Sequence, residues 1–129
     1  METKSYWQAS AVLPQFESLS HDAQTDVVVI GAGLTGITTA YLLGQAGAKV
    51  ILLERQRCAG ADTGCTTAHL TYVTDQRLHH LVKAWGCDGA KAFWEAGAAA
   101  IDQMFEIASS NHIDCEFKWV PVSLFSTQS

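Results

Sequence analysis

Val27-Val28-Val29-Ile30-Gly31-Ala32-Gly33-Leu34-Thr35-Gly36, with Glu54 eighteen residues beyond it, carries the strongest structural signal in this chain. Four β-branched residues in a row, Val27 to Ile30, suit a strand buried on both faces, as in a parallel sheet covered by helices. Asp26 marks its polar entrance. The glycines that follow have separate tasks. Gly31 permits a sharp strand-to-helix turn, Gly33 lets backbone approach a pyrophosphate, and Gly36 lets the helix sit close to the strand. A phosphate group would meet the N–H groups and the positive dipole end of a helix that opens at about residues 33–36.

Small and apolar residues continue the helix at Ile37, Ala40, Tyr41, Leu42 and Leu43, and Gly47 is placed to cap its C-terminus. A second apolar strand runs from Lys49 to Leu53 and ends in Glu54. That carboxylate is positioned to accept hydrogen bonds from the ribose of an adenosine, and its charge would repel a 2′-phosphate. The pattern is a βαβ dinucleotide-binding unit with a GxGxxG turn.

The ADP moiety is common to FAD and NAD, so this unit alone does not choose between them. A second polar stretch, Gly60-Ala61-Asp62-Thr63-Gly64-Cys65-Thr66-Thr67-Ala68-His69, follows directly and favours FAD. With it the chain resembles the FAD-dependent oxidoreductases of the D-amino-acid-oxidase and glycine-oxidase (DAO) type, most closely the subgroup with a C-terminal Rieske iron–sulfur domain. The resemblance rests on Ser5-Tyr6-Trp7, the Asp26-to-Gly31 strand, Leu53-Glu54-Arg55, the Thr63-to-His69 run and Cys115-Glu116-Phe117. It implies that Gly31, Ala32, Gly33, Leu34, Thr35, Gly36, Glu54 and Arg55 hold the ADP half of FAD. Thr66, Thr67 and Ala68 would lie along its middle, with His69 near the flavin. The residues themselves leave another reading open, in which Thr66 and Thr67 satisfy loop backbone groups and His69 is structural.

The chain has 129 residues, a length that suits one domain, and a net charge of −5 without a basic cluster. Nucleic acid and anionic membranes are therefore poor partners. No apolar run approaches a membrane span, the N-terminus lacks a secretory pattern, and a cytoplasmic location is expected. Cys58, Cys65, Cys87 and Cys115 have no metal-binding or paired spacing and read as free thiols. The adjacent His79 and His80 are expected on different sides of a helix, so no metal site is predicted.

Residues 1–24 read as an arm anchored by Trp7, Phe16 and Leu19. Residues 25–112 read as an incomplete Rossmann-like FAD-binding domain with a helical segment. Two helices are expected there: one from Asp75 to Trp85, stopped by Gly86, and one from Asp88 to Ser109, capped by Asn111. The longer one should bury Ala90, Phe93, Gly97, Ile101, Met104, Phe105 and Ala108. Cys115, Phe117 and Trp119 alternate with polar residues, giving a half-buried strand that stops at Pro121, and residues 122–125 could form another. Residues 113–129 would begin a β substrate domain. The fold class expected is α/β, the N-terminal part of a larger enzyme whose remaining substrate domain and, as the resemblance implies, a Rieske domain would lie further on.

By the resemblance, the activity implied is oxidation of a C–N bond in a small-molecule amine or amino acid, by hydride transfer to flavin. No catalytic acid or base is assignable from these residues. An NAD-dependent dehydrogenase and a non-catalytic dinucleotide-binding module share the first motif and remain the competing readings.

Overall fold

The structure, a computed structural model, describes residues 4–123 and divides into two compact units between Ala68 and His69. The first unit carries a short helix α1 (Tyr6–Ser10), strand β1 (Val27–Ile30), helix α2 (Leu34–Gln45), strand β2 (Val50–Leu53) and a 3-10 turn (Asp62–Cys65). The strands pair in parallel, Val27 against Val50 through Ile30 against Leu53, and α2 packs against both. This is the β-α-β crossover that the sequence pattern requires.

Backbone and side chain fix its polar end together. The N–H groups of Asp26 and Val27 both donate to the Lys49 carbonyl at 3.1 Å, and the Asp26 carboxylate accepts the Lys49 N–H at 2.8 Å. At the other end, Gly31 N–H extends the ladder to the Leu53 carbonyl at 2.8 Å. Gly47, at φ +88°, closes α2 as expected: its N–H reaches the Gly44 carbonyl and that of Ala48 reaches the Leu43 carbonyl, both at 3.0 Å. This pair of bonds is a Schellman cap.

One expectation for β1 fails. Its burial alternates, leaving Val28 and Ile30 exposed at 52% and 85%. Among the described residues the sheet has only these two strands, and α2 provides cover on one side. Phe16 and Leu19 are also exposed, at 76% and 55%, whereas Trp7 makes a directed hydrogen bond.

The second unit is dominated by α3 (Leu78–Ser110), which is interrupted at Gly86 (φ 73°, ψ 174°). Two helical segments with a glycine break were expected, although the first starts three residues later than Asp75. Leu81, Ala90 and Ile101 are buried. Gly97 faces Tyr72, where an added Cβ would come within 2.8 Å of the tyrosine Cβ. Trp94 stacks edge-on with the same Tyr72 ring at 5.3 Å, whereas Phe93 is partly exposed and meets Trp85. The His79 and His80 rings lie 4.1 Å apart rather than on different sides, and no group of three metal-binding side chains occurs among the described residues.

The strand expected at residues 115–120 does not form. The alternation of Phe117 and Trp119 is used differently, since both rings pack on Phe105 of α3, at 5.3 and 6.1 Å. Glu116 sits at φ 52°, which interrupts extended backbone, and no described strand lies beside this segment. Leu124 and Phe125 of the further expected strand fall outside the described residues.

Candidate functional site

The glycine turn has the geometry its residues predict. Gly31 adopts φ +97°, a conformation open mainly to glycine. A Cβ on Gly36 would overlap the carbonyl oxygen of Gly31, so the close seat of α2 on the end of β1 admits no side chain there. Ala32, between them, is 1% exposed. Gly33 is the N-cap of α2 and offers no side chain to the first helical turn, which also holds no acidic residue. An anion at that end would thus meet the helix dipole with no acidic side chain from the first turn itself.

Glu54 stands directly after β2 and braces the turn. One carboxylate oxygen accepts the Ala32 N–H at 2.9 Å and the other accepts the Gln56 N–H at 2.9 Å. The Ala32 bond and then the Gln56 bond hold the Glu54 carboxyl below the usual carboxylate range, with the backbone and charge of Arg55 adding to the effect. Each oxygen retains a lone pair for a further donor, so a ribose hydroxyl could bind without breaking either bond. Arg55 itself is exposed on the loop that follows.

The second polar stretch reaches the turn through a residue that sequence reasoning missed. Thr63 Oγ1 accepts the Leu34 N–H at 3.1 Å, answering the first amide of α2, and an added Cβ on Gly33 would lie 3.3 Å from the same oxygen. The Thr63 hydroxyl hydrogen stays available to donate outward. The signal was its membership of the same polar run, one residue before Gly64. Ala59 N–H adds a second tie, to the Ala32 carbonyl at 2.8 Å.

Thr66 behaves as the plainer reading allowed. Its hydroxyl accepts the Ala68 N–H at 3.2 Å in a local turn, with Ala68 at φ 54°. Leu34 and Thr35 are exposed at the helix start, and Thr67 and Ala68 are exposed beyond the turn. The structure therefore gathers Gly31, Ala32, Gly33, Leu34, Gly36, Glu54 and Thr63. His69 opens the second unit.

A parallel strand-helix-strand unit joined through such a turn is a Rossmann-like α/β architecture. Residues 26–128 match the DAO family, FAD dependent oxidoreductase, and the chain belongs to that family. YhfW of Bacillus subtilis, whose given name is that of a Rieske 2Fe-2S iron–sulfur protein, is 38% identical over 88% of this chain and 22% of its own length. Gamma-glutamylputrescine oxidoreductase of Escherichia coli is 29% identical over 95% of this chain and 29% of its own length. D-amino acid dehydrogenase of Phenylobacterium zucineum is 50% identical over a shorter region, 33% of this chain and 10% of the relative. The chain thus spans less than a third of each of these relatives. No solved structure matches it.

Proposed function

We propose that this chain supplies the ADP and pyrophosphate part of the FAD site of an oxidoreductase acting on the C–N bond of an amine or amino acid. The observation that carries the reading is the Gly31–Gly36 turn, closed so tightly that Gly36 admits no side chain and braced at Ala32 by the Glu54 carboxylate. Membership of the DAO family supports FAD over NAD. The names of the E. coli and P. zucineum relatives, which speak of a putrescine derivative and D-amino acids, support the substrate class.

In this reading Gly31, Ala32, Gly33, Leu34, Thr35 and Gly36 line the pyrophosphate, and Glu54 accepts the adenosine ribose hydroxyls beside Arg55. Thr63 keeps the Leu34 amide and donates its hydroxyl to a phosphate oxygen. Thr66, Thr67 and Ala68 run along the middle of the cofactor, with His69 toward its flavin end. Bound FAD would supply the two-electron redox chemistry, and the chain's task is to bind and orient it. The substrate-binding part, together with a Rieske domain as electron partner on the likeness to YhfW, completes the enzyme. The free thiols Cys58, Cys65, Cys87 and Cys115 suit a reducing, cytoplasmic setting.

Gly33→Val in the complete protein tests this directly. The branched side chain would fill the space between Thr63 and the helix start, so FAD binding, followed by quenching of flavin fluorescence, is expected to vanish while far-UV circular dichroism persists. Retained affinity would refute the placement of the pyrophosphate.

A further inference from the structure

The Ser5-Tyr6-Trp7 segment has no part in the βαβ unit, yet it makes the longest-range ties of the first unit. Ser5 Oγ donates to the Gly64 carbonyl while accepting the Gln8 N–H at 3.2 Å, so one hydroxyl both caps α1 and fastens it to the 3-10 turn. Trp7 Nε1–H donates to the Thr66 carbonyl at 2.6 Å. Gly64 is buried between two partners, and an added Cβ would lie 2.5 Å from the Ala59 carbonyl oxygen and 3.2 Å from the Gln8 side-chain nitrogen. Both tied carbonyls belong to residues 59 positions away in sequence.

We propose that Ser5, Trp7 and Gln8 form a clamp that sets the 62–68 segment against the glycine turn, making Ser5 and Trp7 positioning residues for the cofactor. The clamp grips Gly64 and Thr66. Thr63, beside Gly64, reaches the Leu34 amide and overlies Gly33. Thr66 in turn holds the Ala68 amide. The α1 segment therefore bears on the register of Thr66 and Ala68, assigned to the middle of the dinucleotide, and packs chiefly on the 3-10 turn rather than on the βαβ unit that would hold the ADP half. Trp7 is 36% exposed, so its ring contributes through the directed N–H as well as through burial. A bond to a free carbonyl restricts a segment that has no strand or α-helix to hold it. This role rests on the FAD reading above.

The test uses Trp7→Phe, which keeps an aromatic ring and removes the donor, and the pair Ser5→Ala and Ser5→Thr in the complete protein. Hydrogen exchange of the cofactor-free protein should quicken in residues 62–68 of Trp7→Phe and Ser5→Ala. The reporting amides are Gly64, bonded to the Ala61 carbonyl, and Ala68. Exchange in β1 and β2 should be unchanged, which separates loss of the clamp from general destabilisation. FAD affinity should fall roughly five- to tenfold in each, the worth of one hydrogen bond. Affinity for ADP, which meets Thr63 but lacks the ribityl and flavin parts assigned to Thr66, Thr67 and Ala68, should fall by less than that for FAD, and Ser5→Thr should restore both readouts. Unaltered exchange at 62–68, or equal losses for FAD and ADP, would overturn the clamp. A wild-type protein that binds neither ligand would instead refute the dinucleotide reading, and the clamp's cofactor role with it.

Discussion

Glu54 shows how one side chain serves fold and site together. Its two backbone bonds lower its pKa in the folded chain, so the stabilisation it brings is fully present above the ordinary carboxylate pKa. That contribution is lost as pH falls through the depressed folded value. Denaturant titrations of wild type and Glu54→Gln should accordingly show a stability gap at neutral pH that closes under acid conditions. A gap that stays constant with pH would contradict the assignment. The position of Glu54 was legible because an acid ending the second strand has a clear spacing signature. Its hold on the Ala32 amide was not, because the partner is backbone and leaves no mark in residue identity. Thr63 was obscured for a related reason: three threonines, Thr63, Thr66 and Thr67, share one run, and only the three-dimensional turn selects which one reaches Leu34.

At the scale of elements, helix ends carry testable differences. Gly47 and His112 both occupy left-handed backbone after a helix, at φ 88° and 53°. The α3 end has the same pair of bonds as α2, His112 N–H to the Ser109 carbonyl at 3.2 Å and Ile113 N–H to the Ala108 carbonyl at 2.8 Å. Asn111 Nδ2 adds a bond to the Ile107 carbonyl at 2.8 Å. Gly47→Ala should cost about 1 kcal/mol in urea unfolding, and His112→Gly should gain up to about 1 kcal/mol at its own helix end. Equal and negligible effects would argue against both caps. The first strand, α2, its glycine stop and the Gly86 break were legible because glycine placement and apolar periodicity agree there. The strand expected at residues 115–120 was misjudged because alternation reports which side chains share a side, not whether a neighbouring strand exists. Here the shared side rests on Phe105.

For the molecule as a whole, the buried apolar residues among those described are Ala32, Leu81, Ala90 and Ile101, while Ile30, Trp85, Trp119 and Val120 are each more than half exposed. Such a distribution gives modest hydrophobic stabilisation and leaves apolar surface for association. No helix among the described residues is long and apolar enough to cross a membrane. The N-terminal clamp was invisible at this scale too, since pairing Trp7 with Thr66 needs the closed chain rather than a local pattern. In the proposed function the glycine turn and Glu54 hold FAD. A visible absorption spectrum of the purified complete protein, with chromatography of the chromophore released by heat, tests it most directly. Flavin bands and released FAD are the predicted result. A protein that is colourless and stays colourless after FAD is added would contradict it.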